Sequence, residues 1–392
     1  MRHPRRRVAI GIELVWPYKH HTALVAGILA RGSALGWHCE LEPFLERSGP
    51  EGFRGRAFDG VIARMTPSLA AYVRRVGIPA VNVWIDSPVR DFPAVHPDME
   101  AAGRMAADHL ADRGFRRLGF LGFRGSLTCR RLSHGFREAA ALRGASSEVH
   151  LVRWSDFPDG RAWELFQKDL AAWIRSREYP FGVSAFGDLA GRYLAGACLR
   201  LGLRIPEDVA IVGTGNNELL CERLHPPLSS IDLGYERVGG RAAEILERMM
   251  AGRSAPARPE PVPPSTLVAR LSSDAFAVGD PVVSRALRYI SENARRPIHV
   301  GDVVTGLPVT RRSLERKFRR VLGRTLHDEI TRARIDRARR LLAETDTPLK
   351  AAALESGFRS IGQFTKAFRR ETGQPPAAYR RERRSGGGSP AL

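Results

Sequence analysis

Two stretches near the end of the chain repeat one design, and nothing else in the sequence constrains the fold as much. Pro308-Val309-Thr310-Arg311-Arg312-Ser313-Leu314-Glu315-Arg316-Lys317-Phe318-Arg319-Arg320 and Gly357-Phe358-Arg359-Ser360-Ile361-Gly362-Gln363-Phe364-Thr365-Lys366-Ala367-Phe368-Arg369-Arg370 each begin with a turn and a hydroxyl residue, Thr310 or Ser360, suited to capping a helix. In the first, Leu314, Phe318, Val321 and Leu322 recur at i, i+4, i+7 and i+8; in the second, Ile361, Phe364 and Phe368 recur at i, i+3 and i+7. Each helix thus has one apolar stripe, and the face left over is basic: Arg312, Arg316, Arg319 and Arg320 on one, Arg359, Lys366 and Arg370 on the other. A short helix before each, near Gly301 to Thr305 and Leu349 to Glu355, completes two helix-turn-helix units of the kind that lays its second helix in a DNA major groove. Leu326 to Glu344 reads as one helix clamped between them, its Ile330, Ala333, Ile335, Ala338, Leu341 and Leu342 covering about half the circumference. At 1.5 Å per residue it spans about 28 Å, close to the roughly 34 Å turn that separates successive major-groove faces.

Charge runs are usually solvated faces, so the distribution of charge decides between surface and interface. Residues 281–384 hold 25 Lys and Arg against 11 Asp and Glu, which is +14 of the chain's +20. A quarter of the chain carries most of the excess, the footprint of a phosphate-binding domain.

Leu341-Leu342, Gly357-Phe358, Phe364, Phe368, Gly373, Pro375-Pro376 and Tyr379-Arg380 together resemble the DNA-binding domain of AraC/XylS-type transcription regulators, which carries two such units joined by a helix. The resemblance covers about Asp280 to Arg384. Ala352 stands where that family usually has a larger aliphatic residue, which predicts looser packing of its helix. Candidate DNA-binding residues are Arg311, Arg312, Ser313 and Arg316 at the start of the first recognition helix, and Arg359, Ser360, Gln363 and Lys366 on the second. Arg pairs bidentately with guanine, and Gln363 could pair with adenine. Gln363 reads equally as the reciprocal partner in a Ser360-x-x-Gln363 capping box, and some of the basic residues contact phosphate alone.

The 392 residues predict two or three domains, and 43% hydrophobic with 27% charged residues suits globular cores. Cys39, Cys129, Cys198 and Cys221 match no zinc or redox spacing and read as small buried hydrophobes in a reducing compartment. The basic start followed by Val8 to Leu14 is interrupted by Glu13 too early for a signal peptide, and no apolar run is long enough to span a bilayer. These features predict a cytoplasmic protein with no membrane contact.

From Val8 to about Leu271 short apolar runs alternate with helical periods. Strands are expected at Val8 to Leu14, His38 to Phe44, Phe58 to Met65, Ala80 to Asp86, Leu118 to Phe123, Val149 to Trp154, Gly182 to Phe186 and Val209 to Gly213. Helices are expected at Ala23 to Leu35, Ser68 to Val76, Met99 to Asp112, Leu132 to Leu142, Trp163 to Arg177 and Leu189 to Leu201. Such alternation argues for parallel sheets, and its length for two lobes. Asp108-His109-Leu110 with Gly114-Phe115-Arg116-Arg117, then Ile205-Pro206-Glu207-Asp208-Val209-Ala210-Ile211-Val212-Gly213 and Pro226-Pro227-Leu228-Ser229-Ser230-Ile231, resemble the effector domain of LacI-type regulators and the related periplasmic sugar-binding proteins. Joined to an AraC-type C-terminus, the likeness is to the xylose-operon regulators, almost end to end. The expected fold is therefore an α/β two-lobed periplasmic-binding-protein-like domain (1–274), then an all-α domain with two helix-turn-helix units (275–384) and a tail (385–392). The Pro-rich piece Ala255 to Ser265 reads as a surface loop before the last strand of the ligand domain.

In two-lobed folds ligands sit at the carboxyl ends of strands. That rule marks His20 with Tyr18, Lys19 and His21, then Asp86, the stretch Arg124 to Arg131, Asp188, and Asn216 with Asn217 as effector candidates. Asp188 matches a ligand-contacting Asp of the resembled family, and it reads equally as the N-cap of the helix at Leu189. The chain departs from that family at Gly215, at Leu132 and in His20-His21-Thr22, and these departures speak against xylose itself. The adjacent histidines have no further ligands at metal spacing, and no metal, cofactor or catalytic residue is expected.

These features predict a transcription regulator, not an enzyme, controlled by a small-molecule effector of sugar type. Its partners would be double-stranded operator DNA, a second copy of the chain and RNA polymerase. The alternative is a sugar-metabolising enzyme with a basic helical C-terminal domain. Val212-Gly213-Thr214-Gly215-Asn216-Asn217-Glu218 lacks the third glycine of a dinucleotide loop, and no nucleophile elbow or P-loop is present.

Overall fold

Val8-Ala9-Ile10 and Val61-Ile62-Ala63 are apolar at every position, as strands covered on both faces must be. In a computed structural model of the chain all six are fully buried. The described residues are 6–12, 19–42, 45, 57–153, 160–273, 280–293, 296–345 and 347–385. Tyr18, the junction 274–279 and the tail from 386 lie outside them.

Apart from two short stretches, the chain divides into two compact units, the first running to Ser273 and the second from Asp274. The first unit opens with β1 (Arg7–Gly11), α1 (Lys19–Ala34), β2 (His38–Leu41), β3 (Gly60–Ala63), α2 (Pro67–Val76) and β4 (Ala80–Asn82). Their parallel sheet has the order β2-β1-β3-β4. After β5 (Val95–Pro97) the chain builds a second lobe from α3 (Met99–Asp112), β6 (Arg117–Phe123), α4 (Leu127–Leu142), β7 (Ser146–Val152), α5 (Gly160–Arg175) and β8 (Phe181–Ala185). It continues through α6 (Asp188–Arg200), β9 (Val209–Thr214), α7 (Glu218–Glu222) and β10 (Ser229–Asp232). The chain then returns to the first lobe as α8 (Tyr235–Met250) and β11 (Glu260–Val262), which pairs with β5, and ends as β12 (Thr266–Val268), antiparallel on β10. The second sheet runs β12-β10-β9-β8-β6-β7.

Each lobe is sealed by a helix pair that meets backbone to backbone. A Cβ added to Gly27 of α1 would lie 1.9 Å from the Glu236 carbonyl oxygen of α8, and one on Gly239 would lie 2.1 Å from that of Leu24. In the second lobe Gly103 of α3 and Gly135 of α4 stand in the same relation to Leu132 and Glu100, at 2.1 Å each. Only glycine admits such an approach.

Three expectations need correction. Helix α4 begins at Leu127, five residues before Leu132, because Ser126 caps it by accepting the Cys129 N–H at 3.1 Å. The Pro-rich piece is not a plain loop, since β11 lies inside it. Strands β5 and β10 are too short for a pattern search to find, whereas β12 is the last strand expected after the Pro-rich piece.

The second unit comprises α9 (Pro281–Asn293), α10 (Val300–Thr305), α11 (Arg311–Leu322), α12 (Leu326–Glu344), α13 (Leu349–Glu355), α14 (Ile361–Thr372) and α15 (Pro376–Ser385). The first half of α12 closes a core with Val283, Leu287, Leu314 and Phe318, and its second half closes another with Ala352, Phe358, Phe364 and Phe368. One helix thus supplies a wall to both cores. Ala352 is fully buried in the second core, so the smaller side chain is closed over by its neighbours.

Candidate functional site

Two groups of side chains carry the chemistry, one in each unit. In the second unit, Thr310 accepts the Ser313 N–H at 3.3 Å and Ser360 accepts the Gln363 N–H at 3.2 Å, which fixes where α11 and α14 begin. Gly323 and Gly373, both left-handed, end them. Phe318 and Phe364 anchor the inner faces, so Arg312, Arg316 and Arg319 on α11 and Gln363, Lys366, Arg369 and Arg370 on α14 are exposed. Arg311 is exposed but pairs with Glu315 at 2.9 Å, and Ser313 is half-buried behind its cap. Arg359 donates to His299 Nε2 at 2.7 Å, tying the second unit's turn to the start of α10. Of the Ser360–Gln363 capping box only the forward half is present among the described residues. Ile361, Gly362, Thr365, Lys366, Arg369 and Arg370 line one open face of α14. Ile361, read from the sequence as part of the apolar stripe with Phe364 and Phe368, is instead exposed on this face, in series with Thr365 and Arg369 at i+4 and i+8.

Asp280 anchors this arrangement. Its carboxylate accepts the Val282 N–H at 3.0 Å, capping α9, and it receives Lys317 and Arg320 from α11.

In the first unit, polar side chains converge at the carboxyl ends of strands from both lobes. Asp188 follows β8. The N-cap position of α6 is Gly187, and the Asp188 carboxylate turns instead to accept the Asn217 N–H at 2.7 Å and the Ser230 hydroxyl at 2.5 Å. Burial pushes its pKa up to about 6, against the lowering effect of those two bonds and of the Cys221 thiol. A Cβ on Gly213 would stand 2.5 Å from Asp188 Oδ1, so that glycine makes room for the carboxylate. Asn216 takes a left-handed backbone at φ 50, and its side-chain oxygen accepts from Arg270 at 2.9 Å.

Asp86 and Lys19 each reach from the first lobe to the second. Asp86, after β4, accepts the Leu127 N–H at 2.5 Å, the Thr128 N–H at 3.2 Å, the Thr128 hydroxyl at 2.5 Å and the Ser126 hydroxyl at 3.2 Å. A carboxylate there also complements the positive end of α4. Lys19 donates to the Asn216 carbonyl and to Glu218, each at 3.0 Å.

His20 packs on Tyr235 with ring centroids 4.9 Å apart. Burial, His21 and Arg64 drive its pKa down to about 3. His96, buried, is held down to about 4 by its burial and by Arg131 and Arg90. Arg64, at the end of β3, lies over Trp84 at 4.6 Å. The structure thus brings His20, Asp86, Arg131, Asp188 and Asn216 to the strand ends. Arg124 is exposed and turns outward, donating to the Leu151 carbonyl on edge strand β7 at 3.1 Å. Sequence reading missed Arg64, Trp84, His96, Ser230, Tyr235 and Arg270. The strand-end rule could have found Arg64, and also Arg270, which lies just past the expected last strand β12.

A periplasmic binding protein-like domain model matches residues 107–273, and a helix-turn-helix domain model matches residues 304–382. The xylose operon regulatory protein of Haemophilus influenzae is 29% identical over 338 residues, 83% of this chain and 85% of that protein. Its counterpart in Escherichia coli K12 is 27% identical over 330 residues, 82% of this chain and 83% of that protein. A solved structure of a xylose-binding transcription activator superposes with a TM-score of 0.61 at 24% identity, covering 97% of this chain and 99% of that one, which is a likeness of fold.

Proposed function

The chain belongs to the AraC-type DNA-binding transcription regulators that carry a periplasmic-binding-protein-like domain, and from that premise we propose that a sugar held between its lobes sets its affinity for operator DNA. The observation that carries this reading is the pairing of two capped basic helices on one 19-residue helix with a lobed domain whose polar side chains meet at strand ends. The relatives named for the xylose operon support the sugar, and because they are regulators the enzyme alternative is set aside.

In this reading Arg312, Arg316, Gln363 and Lys366 reach base edges, while Thr310, Ser313 and Ser360 set helix starts. Arg311 and Arg359, each held by a neighbour, contact phosphate. His20, Asp86, Arg131, Asp188 and Asn216 surround the effector. The protein acts in the cytoplasm as a dimer, which pairs weak half-sites, and meets RNA polymerase at the promoter. Coupling requires only that one lobe arrangement bind effector more tightly than another and that this difference be linked to DNA affinity.

Operators selected from random duplex DNA test the reading. Affinity for the selected sequence should fall steeply with salt and stay far above that for scrambled DNA. Arg312→Ala should cost about 1–3 kcal/mol in operator binding and leave effector binding unchanged. Failure to enrich any sequence would sink the reading; equal affinity of mutant and wild type at matched salt would remove Arg312 from it.

A further inference from the structure

A neutral polyol offers every hydroxyl as both donor and acceptor, so its site needs oxygen lone pairs as well as N–H groups. Among the described residues, the carboxylates Asp86 and Asp188 at these strand ends have little left to offer. Asp86 is engaged by four donors from Ser126, Leu127 and Thr128. Asp188, only 4% exposed, is engaged by Asn217, Ser230 and Cys221. The Asn216 side-chain oxygen is taken by Arg270. A further side chain at Gly213 would collide with Asp188, and Gly215 holds φ +116, where side chains are strained.

The donor side is different. Arg131, half-buried on the second turn of α4, makes no hydrogen bond or ion pair among the described residues. Its charge, with that of Arg90, reaches the buried His96. Arg64 lies at the end of β3 against Trp84, and its charge reaches His20 and Tyr235. Lys19 and Arg270 are matched by Glu218 and Glu222 at 3.0 Å each. Of these charged groups, the one left without a hydrogen-bonding partner among the described residues is the donor Arg131, and the positive charge of Arg131, Arg90 and Arg64 stands beside the negative charge of Asp86, which also reaches His96 and Tyr235.

We propose that the effector is an anionic sugar, carrying a carboxylate or phosphate for which Arg131 is the counter-ion. The proposal rests on the sugar-effector reading above and narrows it. A guanidinium matches either oxyanion in bidentate geometry.

The test is titration of the full chain with D-xylose, D-xylonate and D-xylose 5-phosphate, with D-glucose and D-glucuronate as a second skeleton and inorganic phosphate as an ion control. One of the acids or phosphates should bind at least about tenfold more tightly than its neutral counterpart, a charge-assisted pair being worth that much or more. The preferred member separates carboxylate from phosphate. Its affinity should weaken with added salt in the wild-type protein while that of the neutral sugar does not. Arg131→Met should remove about tenfold or more of the anion's affinity, with Arg131→Lys retaining part of it.

A neutral sugar binding more tightly than its own acid and phosphate would overturn the inference and leave the sugar reading standing. No binding by any member would overturn both. Inorganic phosphate matching the best sugar derivative would overturn the inference, because the sugar body would then contribute nothing. Should Arg131→Met lower the unliganded melting temperature, the salt dependence decides in its place, and an unchanged anion affinity across salt overturns the proposal.

Discussion

Asp188 sits where ionisation is costly, and that cost is measurable. Its folded pKa of about 6 lies above its ordinary value of 3.8, chiefly through burial. A proton therefore stabilises the folded form: the contribution is fully present below pH 3.8 and is lost as pH rises through 6. His20 and His96 oppose it, because their values near 3 and 4 lie below 6.5, so their contribution is present above 6.5 and is lost as pH falls toward those values. Comparing wild type with Asp188→Asn cancels the histidines. Between pH 4 and pH 7.5 the wild type should lose on the order of 3 kcal/mol relative to the variant, read as the difference between their denaturation curves. Parallel pH profiles would show that Asp188 is not desolvated as the geometry implies. At this scale the sequence was half legible. The strand-end rule located Asp188, but Asn217 and Ser230 are 29 and 42 residues away, and no local pattern announces such partners.

Among the elements, the helices of the second unit were the most readable, since caps and terminal glycines agree there and Leu326–Glu344 has the bounds its pattern predicts, although Ile361, read as part of the apolar stripe, is exposed. Helix α4 was misread at its start because part of its N-terminus is satisfied by Asp86 from the other lobe. Helix α8 was not among the helices expected, although Val238, Ala242, Ala243, Ile245 and Leu246 lie on one buried face. What no periodicity shows is how closely two helices meet. Gly27→Ala would drive a methyl into the Glu236 carbonyl and should destabilise the first unit by about 1–3 kcal/mol or more. Gly196→Ala in α6 meets only the end of Arg200, at 3.3 Å, and should stabilise by up to about 1 kcal/mol. Opposite shifts in the melting temperature of the two variants check the pair, and shifts of the same sign would contradict the helix crossing.

For the whole molecule, the question is how a change in the lobed unit reaches the DNA-reading helices. Asp280 stands at the head of the second unit, holding the first turn of α9 while Lys317 and Arg320 of α11 hold Asp280. Asp280→Ala should leave effector affinity intact and keep most operator affinity, while the ratio of operator affinities with and without effector falls toward one. Binding isotherms at both conditions measure that ratio, and an unaltered ratio would exclude this route. The attachment is also lopsided: among the described residues α14 has no such tether to the point where the chain enters the unit, and any pull or twist delivered there falls on α11 first. The two reading helices are then a driven wheel and an idler on one axle, so effector should alter protection at the DNA half-site under α11 while the half-site under α14 stays covered throughout.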